Sequence, residues 1–207
     1  MTSGLSESLN TILDRRPIVI AIAGPNGAGK STFYNAHLRP GGLPFVNADL
    51  LAAGMSLDPY AAASAADGIR RSLMDQGASF VFETVFSDPA GDKLQFLQSA
   101  EARGYTVVLI FIGVASAEIS DTRVAMRVMK GGHDVPAEKI FQRYPRVLEN
   151  LKSALSLLDN VYVLDNSNLA TPFQLLAHFE RQRAVTLQTP FPVWLRNLLT
   201  PQGPGNL

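Results

Sequence analysis

The sequence predicts an α/β fold in which a parallel sheet lies between layers of helices. Three observations support this. Short β-branched runs alternate with longer segments of helical pattern. The runs are apolar through most of their length, as strands covered on both faces are. The first run, PIVIA, leads into GPNGAGKS at 24–31, a glycine-rich loop with a helical segment behind it.

Strands are expected at about 17–23, 45–47, 79–84, 105–113 and 161–165. Asp58-Pro59 and Asp88-Pro89 each place a capping carboxylate before a proline suited to a first helical turn. Gly77 and Gly104 then end those two helices ahead of the next strands. A helix is expected from Ser116 to the Gly131-Gly132 pair, and a longer one from Pro136 to about Leu158. From Thr171 one more helix is expected, followed by FPVWLRNLL as a covering piece of core and a loose TPQGPGNL end. With no internal repeat and no linker, residues 1–207 read as one domain, with a lid at about 120–146 and a C-terminal cover at about 171–200.

Composition narrows the function. The 207 residues are 46% apolar and 17% charged, a globular profile. Lys+Arg and Asp+Glu both number 18, so no basic excess points to nucleic acid as a partner. The absence of cysteine excludes disulfides and thiolate metal sites, and three histidines far apart in sequence suggest no metal cluster. The opening MTSGLSESLNTILDRR lacks a signal-peptide core, and TVVLIFIGVA is half a membrane span. A cytoplasmic protein with no membrane partner is the expectation.

The loop at 24–31 fits G-x-x-x-x-G-K-[ST], the P-loop pattern. Its glycines let successive N–H groups of Gly24, Pro25, Asn26, Gly27, Ala28, Gly29, Lys30, Ser31 and Thr32 (proline excepted) face phosphate oxygens. Lys30 supplies a charge to the β- and γ-phosphates and the Ser31 hydroxyl a ligand for Mg²⁺, so ATP or GTP is the expected cofactor. In FVNADLL, Asp49 stands just past a strand, where ligands of open α/β sheets sit. It is read as either the base that takes the proton of an attacking hydroxyl or merely a helix cap. Asn47 is a polar substrate contact or a turn residue. In SFVFETVFSD, Glu83 ends another strand and could hold Mg²⁺ or a substrate hydroxyl, with Thr84 beside it; strand-end turn chemistry is the alternative.

Arg123 and Arg127 lie four apart on one helix, and Arg143 and Arg146 follow on the next, across the KGGHDVP turn. Two arginine-bearing helices joined by glycines read as a lid that neutralises charge on a transferred phosphoryl group, with Arg127 and Arg143 favoured. His133 in the turn is a substrate contact or a backbone-satisfied histidine. Asp165 and Asn166 could touch a nucleotide base, but closing a turn is the preferred reading.

No LSGGQ-like stretch marks an ABC transporter ATPase, and no N-K-x-D marks a GTPase switch. The ordered set AGPNGAGKST, VNAD, FVFETVFS, RVAMRVMKGGHDVP, RYPR and DNS resembles the zeta toxin family of small-molecule kinases, more closely its compact branch often labelled predicted ABC-type ATPases. The resemblance runs from about Ile18 to Ser167. It implies a P-loop NTPase three-layer sandwich with parallel strand order 2-3-1-4-5. It also implies Mg-ATP-dependent phosphorylation of a hydroxyl of UDP-N-acetylglucosamine or a similar nucleotide-sugar, and an antitoxin protein as partner. Asp49 would act as base, Glu83 would help hold the site, and Lys30, Arg127 and Arg143 would grip phosphates. A nucleotide-dependent regulatory ATPase without a small-molecule acceptor is the alternative.

Overall fold

The computed structural model describes residues 12, 14–132 and 134–199; the TPQGPGNL end and His133 lie outside them. The described residues form one seven-stranded sheet. Strand β1 (Ile18–Ala23) is central, with β3 (Phe80–Thr84) on one side and β4 (Thr106–Gly113) on the other. Strand β2 (Phe45–Val46) edges β3, and β5 (Asn160–Asp165) follows β4. These five strands are parallel, in the order 2-3-1-4-5.

All six residues of β1 are buried, and they divide by the period of two that a pleated strand imposes. Val19, Ala21 and Ala23 face one core, shared with Ala66, Leu97 and Leu151; Ile18, Ile20 and Ile22 face the other, shared with Ala28, Phe33 and Tyr162. The first core is roofed by α3 (Pro59–Asp75), α4 (Asp92–Ala102) and α6 (Ala137–Leu157). Helix α1 (Lys30–Phe33) follows the glycine loop, α2 (Ala48–Met55) follows β2, and α5 (Ala117–Val128) follows β4. No helix among the described residues is long and apolar enough to cross a membrane.

Two sequence expectations need correction. The Asp58-Pro59 start holds, with Asp58 accepting from the N–H groups of Tyr60 and Ala61, but Asp88-Pro89 does not begin a helix. Helix α4 starts at Asp92 behind Gly91 at φ 72°, and Asp88 reaches its first turn only by accepting from the Lys93 N–H at 3.1 Å. The helix expected from Thr171 is instead a β-hairpin. Strands β6 (Gln174–Glu180) and β7 (Arg183–Leu187) extend the sheet antiparallel beyond β5. Arg181 and Gln182 form its tip, both at positive φ, where two-residue hairpins usually carry Asn-Gly or Asp-Gly. The turn therefore gave no local signal.

Within the FPVWLRNLL segment, Trp194 and Leu195 are buried in the first core, with Phe191, Leu198 and Leu199 packed against it. Helix α7 (Val193–Leu199) lays Trp194 over the end of β4, where a Cβ on Gly113 would come within 2.4 Å of the indole ring. The Trp194 Nε1–H donates to Asp165 Oδ1 at 2.9 Å, tying the cover to the end of β5. Gly113→Ala should therefore push the ring off the sheet and cost about 1–3 kcal/mol of stability, the usual range for overpacking. Because Trp194 is the sole tryptophan, urea unfolding followed by its fluorescence reads both effects at once. An unshifted midpoint with an unshifted emission maximum would contradict the contact.

Candidate active site

The parallel register brings the carboxyl ends of the strands to one edge. Ile22 pairs with Glu83, Ala23 with Thr84 and Phe111, and Gly113 with Asp165, so the glycine loop leaves β1 between the ends of β3 and β4, with the end of β5 one strand further on. The loop fits there because its glycines carry no side chain. A Cβ at Gly24 (φ 143°) would stand 2.1 Å from the Ile112 carbonyl oxygen, and one at Gly29 (φ 90°) 2.7 Å from Asn166 Nδ2. Asn166 donates from that nitrogen to the Ala28 carbonyl at 2.8 Å.

Lys30 opens α1 and is 6% exposed. Its ammonium donates to the carbonyls of Gly24 at 3.0 Å and Pro25 at 2.9 Å, and stands 3.9 Å from Glu83 Oε1. Burial pushes the Lys30 pKa down; the charges of Glu83 and Asp49 oppose that shift, and Arg127 adds to it. The lysine therefore senses both acids and one arginine of the proposed lid.

Glu83 joins three elements. Its Oε2 accepts from Ser31 Oγ at 2.8 Å and from Asn47 Nδ2 at 2.9 Å. Asn47 also caps α2, its Oδ1 accepting from the Leu50 N–H at 3.1 Å. The capping role considered for Asp49 thus falls to Asn47, and the Asp49 carboxylate lies exposed in the first turn. The Thr84 hydroxyl accepts from the N–H of Phe86, a buried residue at φ 63°, while Asn150 donates to the carbonyls of Phe86 and Asp88. The loop after β3 is held in place by both.

Two clefts meet at Glu83. One, of about 640 Å³, is lined by Gly27, Gly29, Lys30, Ser31 and Thr32 below and by Arg123, Arg127 and Phe173 around its rim. The other, of about 160 Å³, is lined by Asn47, Asp49, Arg70, Thr84 and Lys93. The four arginines of α5 and α6 divide between separate cavities. Arg127 and Arg123 face the loop cleft, and Arg123 donates to the Ser167 carbonyl at 3.0 Å. Arg143 and Arg146 line a third cavity, of about 350 Å³, with Thr84, Ser87, Asp88 and Lys93. The Gly131-Gly132 turn packs closely on Arg127, where a Cβ at Gly132 would meet Cγ at 2.5 Å. His133 lies outside the described residues.

Sequence reasoning placed Lys30, Ser31, Asp49, Glu83 and Arg127 at one edge, and the structure brings them together there. For Asp165 the turn reading fits, since it accepts from the Ser167 N–H and hydroxyl. Asn166 does more: it braces the glycine loop. Arg70 and Lys93 were missed; neither sits in a motif, and both reach the cleft only because α3 and α4 pack over β3.

The zeta toxin family model matches residues 59–174, more than half of the chain. The chain belongs to the zeta toxin family. The matched span of this zeta toxin family member begins after the glycine loop and Asp49 and takes in Glu83, both arginine helices and Asn166. No curated protein matches the sequence. Among solved structures, similarity extends to the AvrRxo1-ORF1:AvrRxo1-ORF2 complex with sulphate ions, at 18% identity and a TM-score of 0.65, covering 98% of this chain and 69% of that one. A structure of that complex with ATP matches at 17% identity, TM-score 0.60, with coverage of 98% and 69%. The PezAT chromosomal toxin-antitoxin system of Streptococcus pneumoniae matches at 15% identity, TM-score 0.56, covering 78% of this chain and 76% of that one. At such identities these likenesses establish the shared fold.

The brace on the loop can be tested without any ligand. Asn166→Ala removes a buried hydrogen bond worth about 1 kcal/mol, so amide exchange at Gly27–Lys30 should quicken by up to about tenfold. Exchange at the wild-type rate would mean that Asn166 does not hold the loop.

Proposed function

We propose that this zeta toxin family member is an ATP-dependent kinase that transfers the γ-phosphoryl group to a hydroxyl of a nucleotide-sugar such as UDP-N-acetylglucosamine. The observation behind it is the position of Glu83, between a glycine-loop cleft suited to a triphosphate and a smaller cleft that holds Asp49. Residues 24–32 would bind the phosphates through backbone N–H groups, as glycine loops ahead of helices do. Lys30 would leave the Gly24 and Pro25 carbonyls for the β- and γ-phosphates.

Ser31 Oγ and Glu83 Oε2 are 2.8 Å apart, an all-oxygen pair that fits Mg²⁺, which takes one or two protein oxygens besides phosphate and water. When bound, the ion would neutralise phosphate charge. Asp49 would accept the proton of the acceptor hydroxyl as its oxygen bonds to the γ-phosphorus and the bond to ADP breaks. Arg127 would stabilise charge from the loop side and Arg143 from the acceptor side. Asn47, Glu83, Thr84 and His133 would contact the acceptor. An antitoxin partner belongs to the same reading, supported by the relatives solved as complexes or described as toxin-antitoxin systems.

The test is incubation with Mg-ATP and a panel of UDP-sugars, read by mass spectrometry for one added phosphoryl group. Asp49→Asn should lower transfer by about 10²-fold or more while ATP binding persists. Full transfer by that variant would remove Asp49 as base. ADP release without an acceptor product, indifferent to Asp49→Asn, would replace the kinase with a regulatory ATPase.

A further inference from the structure

Asp49 lines two cavities, and only one of them is polar. Besides the cleft it shares with Glu83, Arg70 and Lys93, it borders a cavity of about 300 Å³ between α2 and α3. The other residues around that cavity are Ala48, Ala52, Ala53, Leu57, Pro59 and Ala62, so Asp49 supplies its single polar side chain.

Helical spacing builds this wall. Ala48 and Ala52, like Asp49 and Ala53, lie four apart and share one face of α2, which rests against α3. Leu57 joins them from the turn. Ser56 ends α2 at φ 54°, and the Leu57 N–H donates to the Ala52 carbonyl at 3.1 Å. The next residue, Asp58, caps α3. The turn is thus tied to both helices, and the cavity is a formed part of the fold.

A sugar ring, a base or a phosphate placed there would leave polar groups unpaired, whereas an apolar group would not. Cavities of about 300 Å³ hold whole small ligands, so an acetyl group would fill only a small part. Ala48 and Asp49 border both cavities. A molecule with its hydroxyl at Asp49 therefore reaches the apolar cavity with the substituent beside that hydroxyl.

We propose that this cavity receives an apolar group, larger than acetyl, carried by the acceptor on the carbon next to the phosphorylated hydroxyl. This rests on the kinase reading for the hydroxyl at Asp49, but the cavity can be tested by binding alone. The protein, loaded with a non-hydrolysable ATP analogue, is titrated calorimetrically with UDP-glucosamine N-acylated by acetyl, butanoyl or hexanoyl groups. Each buried methylene strengthens binding by up to about fourfold, so the hexanoyl derivative should bind at least about tenfold tighter than the acetyl one. Ala52→Leu and Ala53→Phe, which fill the cavity from α2, should each remove that gain. An unchanged affinity for the ATP analogue shows that both variants are folded.

Binding that does not strengthen with chain length, a gain that survives both variants, or no binding of any derivative would overturn the assignment. The two readings fail separately. Length-dependent binding without phosphoryl transfer to any derivative removes the kinase and keeps the apolar site. Transfer to the acetyl derivative as fast as to the hexanoyl one, with equal binding, removes the apolar site and keeps the kinase.

Discussion

The carboxylate of Glu83 is the constraint on which the site depends. It accepts from Ser31 at the head of α1 and from Asn47 at the head of α2, and it faces the Lys30 ammonium. Those contacts need the end of β3 level with the end of β1, which the Ile22–Glu83 pairing provides. A slip of one residue would turn Glu83 to the other face of the sheet and put Phe82 or Thr84 in its place. The glycine loop, the capped helix α2 and Asp49 are placed relative to one another through this one group.

Backbone proximity sets the rest. The loop passes so near Ile112 and Asn166 that a side chain at 24 or 29 would clash, and Lys30, next in the chain, is buried. A buried ammonium needs partners, and it has them in two carbonyls of the loop and the nearby Glu83 charge. Phosphates entering the loop would compete for the same lysine, so binding exchanges one set of oxygens for another and strands no charge. The clefts on the two sides of Glu83 differ in kind. The loop side offers glycines and a rim that includes Phe173, the other a carboxylate beside fixed cations.

Much of this was legible in the sequence because its signals are local. Five runs, apolar on both faces, marked the parallel strands, and Gly24 to Ser31 marked the loop whatever lay around it. The hairpin at 174–187 was not legible, since Arg181 and Gln182 adopt positive φ without a turn residue to announce it. Asn47 and Asp49 are neighbours of similar capping ability, and only geometry assigned the cap to Asn47. The division of the arginines depends on where α5 and α6 lie against the sheet, and Lys93 in the smaller cleft pairs with Asp67, 26 residues away. Long-range packing decided what short motifs left open.

Glu83→Gln tests most directly whether one carboxylate couples the proposed nucleotide and acceptor sites. Glutamine keeps the shape and an oxygen for Ser31 or Asn47, but loses the charge. Single-turnover transfer from γ-labelled ATP should fall by about 10²-fold, while ATP affinity, measured by equilibrium titration, stays within a few-fold, roughly the worth of one hydrogen bond. Transfer at the wild-type rate would contradict the account.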